Sequence, residues 1–255
     1  ALVGIALYPH HGDEFDSLLR YAQIAIEAAQ NYENGVAIYS SSLNPYNSRR
    51  LTLMGDLRSA LESDQLELHF QPKINMRTGM VVGAEGLLRW QHPSHGFVTP
   101  DQFIPLAEQT GLIKPLTRWV IERAVRELAS WHRQGLEIGV SVNISARNLR
   151  EGNFGEHLAQ LMQRYGLAPE WLTLEVTETA MMEDRDAALR VLTNLHSSGV
   201  RIAVDDFGVG YSSLAYLAQL PISELKIDKS FIFEMERKGG EDVIVRTTIN
   251  MAHDL

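Results

Sequence analysis

Glu85, Leu87 and Arg89 are spaced by two, so a strand that carries them turns all three to one face. Later in the chain Asn143 closes one strand-like run. Glu175 stands near the end of another with Glu178 just beyond, Asp205 and Asp206 end a third, and Lys226 and Asp228 share a face of a fourth. Glu85, Asn143, Glu175, Asp205 and Asp206 offer only oxygen. Carboxylates gathered at one rim repel each other without a counter-ion, and oxygen donors without His or Cys suit a hard divalent cation, Mg²⁺ or Mn²⁺. For any one of these residues a solvated carboxylate in a loop after a strand is the better reading. For five on successive strand ends, a shared site is better.

Lys226 lies inside Glu224-Leu225-Lys226-Ile227-Asp228, where an inward ammonium is costly without a partner. It can snorkel to the rim, hold a metal-coordinated water or share its proton, or form a Schiff base as in an aldolase-like barrel. The metal-type carboxylates argue against the last. His10-His11 and His92-Pro93-Ser94-His95 read as turns, with no third ligand near the His-x-x-His. Trp119, Trp131 and Trp171 fall in or beside apolar stripes and read as core.

The elements that must position these residues alternate. Strand-like runs cover 66–74, 81–90, 137–145, 172–177, 201–206 and 224–229, and helical periodicity covers 115–134, 154–165, 185–198, 213–219 and 240–253. Repeated β–α units predict a parallel sheet, either open and doubly wound or closed into a barrel, with the site at the C-terminal ends of the strands. The first two strands are joined only by Asn75-Met76-Arg77-Thr78-Gly79, too short for a parallel crossover, so they should form an antiparallel hairpin. Gly208-Val209-Gly210 lacks the third glycine of a phosphate fingerprint.

Upstream, residues 1–8 and 36–39 read as strands around a helix carrying Leu18, Leu19, Ala22, Ala25, Ile26 and Ala29. A turn at Asn34-Gly35 precedes the second strand, and 40–48, with Pro45, reads as a linker. A helix with Leu51, Met54, Leu57, Ala60 and Leu61 on one face follows, capped by Asn47 or Ser48.

Composition removes whole classes. The 255 residues are 45% hydrophobic and 22% charged, which fits a globular chain and excludes disorder and collagen. No cysteine means no disulfide scaffold, thiolate metal site or thiol nucleophile, and fits a reducing compartment. A net charge of −9 argues against a broad DNA- or RNA-binding face. The apolar stretches are too short and interrupted to span a membrane. Residues 1–8 lack a basic n-region, so they do not read as a signal peptide. The chain opens without Met inside a strand-like run and reads as a piece of something longer.

Taken together, the motifs resemble the EAL family of cyclic di-GMP phosphodiesterases. Gln71-Pro72 lies in the first strand, and Glu85-Gly86-Leu87-Leu88-Arg89-Trp90 matches the family's Glu-x-Leu-x-Arg signature. Pro100 to Glu108, Val142-Asn143-Ile144-Ser145, Glu175-Val176-Thr177-Glu178, Asp205 to Leu214 and Lys226-Ile227-Asp228 then follow in the family's order. The match covers about residues 50–255. It implies an α/β fold, a TIM-like (β/α)8 barrel with an antiparallel first strand. It also implies hydrolysis of cyclic di-GMP to the linear dinucleotide with two Mg²⁺ or Mn²⁺ ions. On that resemblance Glu85, Asn143, Glu175 and Asp205 would be metal ligands, and Asp206 would serve the second metal. Lys226 would contact the attacking water. Gln71, Leu87 and Arg89, with Asp228, would hold the nucleotide, and Glu178 would brace the loop that begins at Asp205. The other class within the family is a receptor that binds cyclic di-GMP without cleaving it. Every ligand position in the covered region is present here, which favours the enzyme.

Gly86 stands where the signature has Ala, on the outward face, and Val209 replaces a usual Thr. The family continues into two further strands, Ala-Glu-Gly-Val-Glu and Gln-Gly, so the C-terminal strands are expected to be missing from this chain. Residues 1–39 resemble the last part of a GGDEF diguanylate cyclase domain, without its signature hairpin or nucleotide-binding half. Asp13-Glu14-Phe15 only imitates that signature. The expected organisation is a GGDEF remnant at 1–39, a linker and connecting helix at 40–63, and the EAL domain at 64–255. Expected partners are cyclic di-GMP, a second copy through the barrel and an upstream sensory or GGDEF domain. No DNA, RNA or membrane contact is expected of this segment. The expected location is cytoplasmic, with any membrane tether carried elsewhere.

Overall fold

The computed structural model describes residues 2–30, 32, 35–43, 48–63, 65–209, 214–238 and 243–254. Asn34 of the expected turn, Pro45 of the linker, the capping side chain at Asn47 or Ser48, and Gly210-Tyr211-Ser212-Ser213 lie outside what is described. The strands are β1 (Val3–Ile5), β2 (Val36–Ile38), β3 (Leu66–Ile74), β4 (Val81–His92), β5 (Gly96–Val98), β6 (Gly139–Asn143), β7 (Leu172–Thr177), β8 (Arg201–Phe207) and β9 (Glu224–Ile227). The helices are α1 (Phe15–Ala29), α2 (Ser48–Glu62), α3 (Pro100–Thr110), α4 (Ile113–Arg133), α5 (Ala146–Leu149), α6 (Phe154–Tyr165), α7 (Glu178–Met182), α8 (Arg185–Ser197), α9 (Leu214–Leu217), α10 (Lys229–Lys238) and α11 (Val243–Asp254).

β3, β4, β6, β7, β8 and β9 lie side by side in that order, with β5 paired to β4. β3 runs antiparallel to β4, and each later neighbour is parallel to the one before. The fold is the α/β, mostly parallel arrangement of a TIM-like barrel. Local chemistry makes the hairpin: Asn75 Oδ1 accepts from the backbone of Arg77 and Thr78, and Gly79 sits at φ 69°.

β4 alternates. Leu88 and Trp90 are buried on the helix-covered side, while Glu85, Leu87 and Arg89 take the other face. Gly86 lies on the covered side, and a Cβ there would meet Leu68 at 3.4 Å, an ordinary contact. β7 is buried almost throughout because helices cover one face and the interior the other. The helices lock on with apolar stripes, as in α4 with Leu116, Val120, Ile121, Ala124, Val125 and Leu128.

Several expectations shift. The first strand is Val3–Ile5 rather than 1–8, because Leu7 to Gly12 turns back on itself with His11 N–H donating to Leu7 O. The buried face of α1 is Ala25 and Ala29, with Ile26 and Leu19 exposed. α2 buries Leu53, Leu57 and Ala60 in the main core and leaves Leu51 exposed, so the connecting helix packs with the sheet's helices. Ala25, Ala29, Ala37 and Tyr39 form a separate small core for the β1–α1–β2 unit, in which β1 and β2 are parallel. His92 is a turn organiser: its Nδ1 accepts from the Ser94 and His95 backbone, and its Nε2 meets Asp56 of α2 at 3.0 Å. No described helix is long and apolar enough to cross a membrane.

Candidate active site

The sheet register delivers the polar residues to one place. Glu85 is level with Ser141 on β6, Asn143 with Glu175 on β7, and Thr177 with Asp205 on β8. Glu85, Glu175 and Asp205 each present a carboxylate oxygen, and these oxygens lie within 4.8 Å of one another. The Lys226 ammonium touches all three, at 3.3 Å from Glu85 Oε2, 2.5 Å from Glu175 Oε2 and 2.9 Å from Asp205 Oδ2. Asn143 stands beside the triad and donates its amide to Glu85 Oε1 at 3.0 Å.

The electrostatics follow from burial and proximity. Burial alone would lower the Lys226 pKa, but hydrogen bonds and charge from Glu175, with Asp205 and Glu85, more than reverse this and hold it well above its ordinary value. Glu175 is fully buried, which pushes its carboxyl up, yet Lys226 and then Lys73 bring it below the usual range. Burial first, then the charge of Glu175, raises Glu85, and Lys226 and Asn143 offset only part of that.

Asp205 and Asp206 are adjacent, and adjacent strand residues face opposite sides. The β8–β9 register breaks between Val204 and Phe207, where β8 advances three residues against two on β9. Such a bulge re-aims side chains. Asp206 is the one non-glycine residue with positive φ among the described residues, at 52°, a region Asp tolerates better than most. Burial, then the charges of Asp205 and Asp228, raises its pKa. Asp206 is outside the three-carboxylate cluster. Asp228 Oδ1 accepts from the Ser230 backbone at 2.9 Å and from the Ser230 hydroxyl, which lowers its pKa and caps the start of α10.

Glu178 opens α7, is 2% exposed, and accepts the Gly208 N–H at 2.9 Å through Oε2. The bond ties the start of α7 to the segment that follows the two aspartates. Gly208 sits at φ 101°, and a Cβ there would lie 2.8 Å from the Phe231 ring, so only glycine fits. Gln71 is exposed on β3 opposite Glu85. Arg89 is partly buried and donates Nη1 to Leu88 O at 2.9 Å.

The sequence does not single out Lys73, which donates to Glu175 from the other side, nor Ser141 and Glu224, which accept from Lys73. Lys73 was open to the same-face argument, two residues from Gln71. Ser141 gives no signal until the register is known. The donor set is all oxygen, anionic and convergent, and it fits a hard divalent cation.

A family model described as EAL domain matches residues 54–255. The chain is 42% identical over 257 residues to the bifunctional diguanylate cyclase/cyclic di-GMP phosphodiesterase MucR of Pseudomonas aeruginosa, covering 100% of this chain and 38% of that protein. It is 38% identical over 254 residues to the cyclic di-GMP phosphodiesterase PdeR of Escherichia coli strain K12, covering 99% and 38%. The chain therefore spans about two fifths of the length of these curated relatives. The solved structure of the PaMucR phosphodiesterase in its c-di-GMP complex aligns with a TM-score of 0.76 at 44% identity, over 80% of this chain and 83% of that one.

Proposed function

Because the chain belongs to the EAL domain family, we propose that it hydrolyses cyclic di-GMP to the linear dinucleotide with the help of Mg²⁺ or Mn²⁺. The observation that carries this reading is the Glu85, Glu175 and Asp205 cluster around Lys226. These three carboxylates and Asn143 would hold one cation, and Asp206 would serve a second. Bound there, hard divalent cations supply Lewis acidity to the phosphodiester and acidify water.

The chain's own side chains do the rest. A phosphodiester P–O bond breaks as water oxygen adds to phosphorus; the water gives up a proton to solvent, the departing ribose oxygen takes one up, and negative charge grows on the phosphoryl oxygens. The Lys226 ammonium, held among Glu85, Glu175 and Asp205, offers a hydrogen-bond donor and positive charge toward the attacking water. Gln71, Leu87 and Arg89 hold the nucleotide, with Arg89 offering a planar fork to a phosphate oxygen or guanine edge. Asp228 assists them from the start of α10. Glu178 keeps the segment after Asp205 and Asp206 in place through Gly208.

In the same reading 1–39 is the end of a GGDEF domain, 40–63 connects it, and 64–255 is the phosphodiesterase domain. The separate small core of the β1–α1–β2 unit supports that division. The protein would act in the cytoplasm, pair through its barrel, and answer to an upstream sensory or GGDEF domain. Chromatography of the protein incubated with cyclic di-GMP and Mg²⁺ or Mn²⁺ tests the reading. Linear dinucleotide is expected, and tight binding with the cyclic form left intact would favour the receptor class.

A further inference from the structure

A second lysine reaches the site from the sheet's first strand. Lys73 lies on β3 opposite Gly83. Its ammonium donates to Ser141 Oγ at 2.7 Å, Glu175 Oε1 at 2.9 Å and Glu224 Oε1 at 2.8 Å. An ammonium has three N–H groups, so these acceptors from β6, β7 and β9 use all of them. Burial would lower the Lys73 pKa, but Glu224 and Glu175 outweigh it and leave it raised.

The consequence falls on Glu175, which has no exposure at all. Each of its oxygens is held by a different lysine. Lys226 takes Oε2, the oxygen that shares this ammonium with Glu85 and Asp205, and Lys73 takes Oε1. The terminal torsion of a glutamate is broad and roughly two-fold. A carboxylate pinned at one oxygen loses that freedom, and the other oxygen is aimed. Lys73 is itself fixed by Ser141, which is 4% exposed, and by Glu224.

We propose that Lys73 is a positioning residue for the cation site: it pins Glu175 Oε1 and so fixes Oε2 toward Glu85 and Asp205. The inference rests on the metal-dependent reading of this site. It also separates cleanly from a bare counter-charge role. A counter-charge repels a cation, so its removal would tighten metal binding, whereas loss of an aiming contact weakens it.

The test is Mn²⁺ binding, read from the electron paramagnetic resonance signal of free Mn²⁺, in wild type, Lys73→Met and Lys73→Arg. Melting temperature and steady-state kinetics are measured alongside. Lys73→Met is expected to raise the Mn²⁺ dissociation constant about tenfold or more, the usual size for an outer partner of a ligand. It should lower kcat with KM for cyclic di-GMP within about twofold, and Lys73→Arg should recover part of both losses. Unchanged or tighter Mn²⁺ binding in Lys73→Met overturns the inference. If that variant does not fold, Ser141→Ala removes one of the three anchors and keeps both lysines. Weaker Mn²⁺ binding supports the inference, and unchanged binding overturns it. A wild type that binds Mn²⁺ and cyclic di-GMP yet forms no linear product would overturn the phosphodiesterase reading instead, and the Mn²⁺ comparison would still decide the role of Lys73.

Discussion

Lys226 contacts three carboxylates and no described nucleotide-holding residue, so its contribution separates from affinity. Lys226→Ala is expected to lower turnover by about two orders of magnitude or more, with cyclic di-GMP binding within a few fold. Arg89 faces the interior from β4 and is expected to do the reverse. Arg89→Ala should weaken nucleotide binding by roughly 1–3 kcal/mol, as for other charge-assisted hydrogen bonds. Titration calorimetry beside single-turnover rates checks both, and a Lys226 variant that loses binding but keeps its rate per bound ligand would make Lys226 a ligand contact. Acidity gives a third expectation. Glu85 and Asp206 have raised pKa values and take up protons at higher pH than ordinary carboxyls. Protons and cations compete for the same oxygens, so Mn²⁺ affinity should fall as pH is lowered from neutral toward the carboxylate range, starting above the ordinary carboxyl value. A flat affinity across that window would mean these carboxyls are not the ligands.

At the scale of elements, the hydrogen bond from Gly208 to Glu178 couples β8 to α7. Gly208→Ala forces a Cβ into the Phe231 ring at a left-handed backbone position. The expected cost is about 1–3 kcal/mol of stability, read by denaturant unfolding, with turnover lost in the surviving folded fraction. A fully active, equally stable variant would show that the close approach is not needed.

The same elements explain what could be read in advance. β3 and β7 match their expected spans, 66–74 and 172–177, end to end: β3 alternates apolar and polar residues, and β7 is a short β-rich run between Pro169–Trp171 and α7. α3 is not among the helical spans expected from the sequence. Pro100 sits at the first helical turn, where its missing N–H costs nothing, and burial of Phe103, Leu106 and Ala107 overrides Pro105. Glu175 and Asp205 were legible because they stand near strand ends, and Glu85 through its same-face spacing with Leu87 and Arg89, although it lies within β4 rather than at its end. Lys73 and Glu224 were not singled out, since their partnership depends on β3 and β9 approaching across the interior, which no local pattern encodes. The bulge that separates Asp206 from Asp205 was hidden for a similar reason: register, not composition, creates it.

Over the whole molecule two cores stand apart. Ala25, Ala29, Ala37 and Tyr39 serve the β1–α1–β2 unit, and the large cluster that includes Leu53, Trp90, Leu128 and Leu174 serves the sheet and its helices. Units with separate cores can fold separately, so removal of residues 1–45 should leave phosphodiesterase activity in place. Lost activity with an unchanged melting profile would give the N-terminal unit a regulatory role. A single rate decides whether the carboxylates around Lys226 form a metal-dependent phosphodiesterase site. Linear dinucleotide formation from cyclic di-GMP is followed as the divalent cation is stripped by a chelator and then restored, in wild type and in Asp205→Asn. Wild-type turnover is expected to stop on chelation and return with Mn²⁺, while Asp205→Asn stays at least about a hundredfold slower at any practical Mn²⁺ concentration. Turnover that survives the chelator, or an Asp205→Asn protein as fast as wild type, would contradict it.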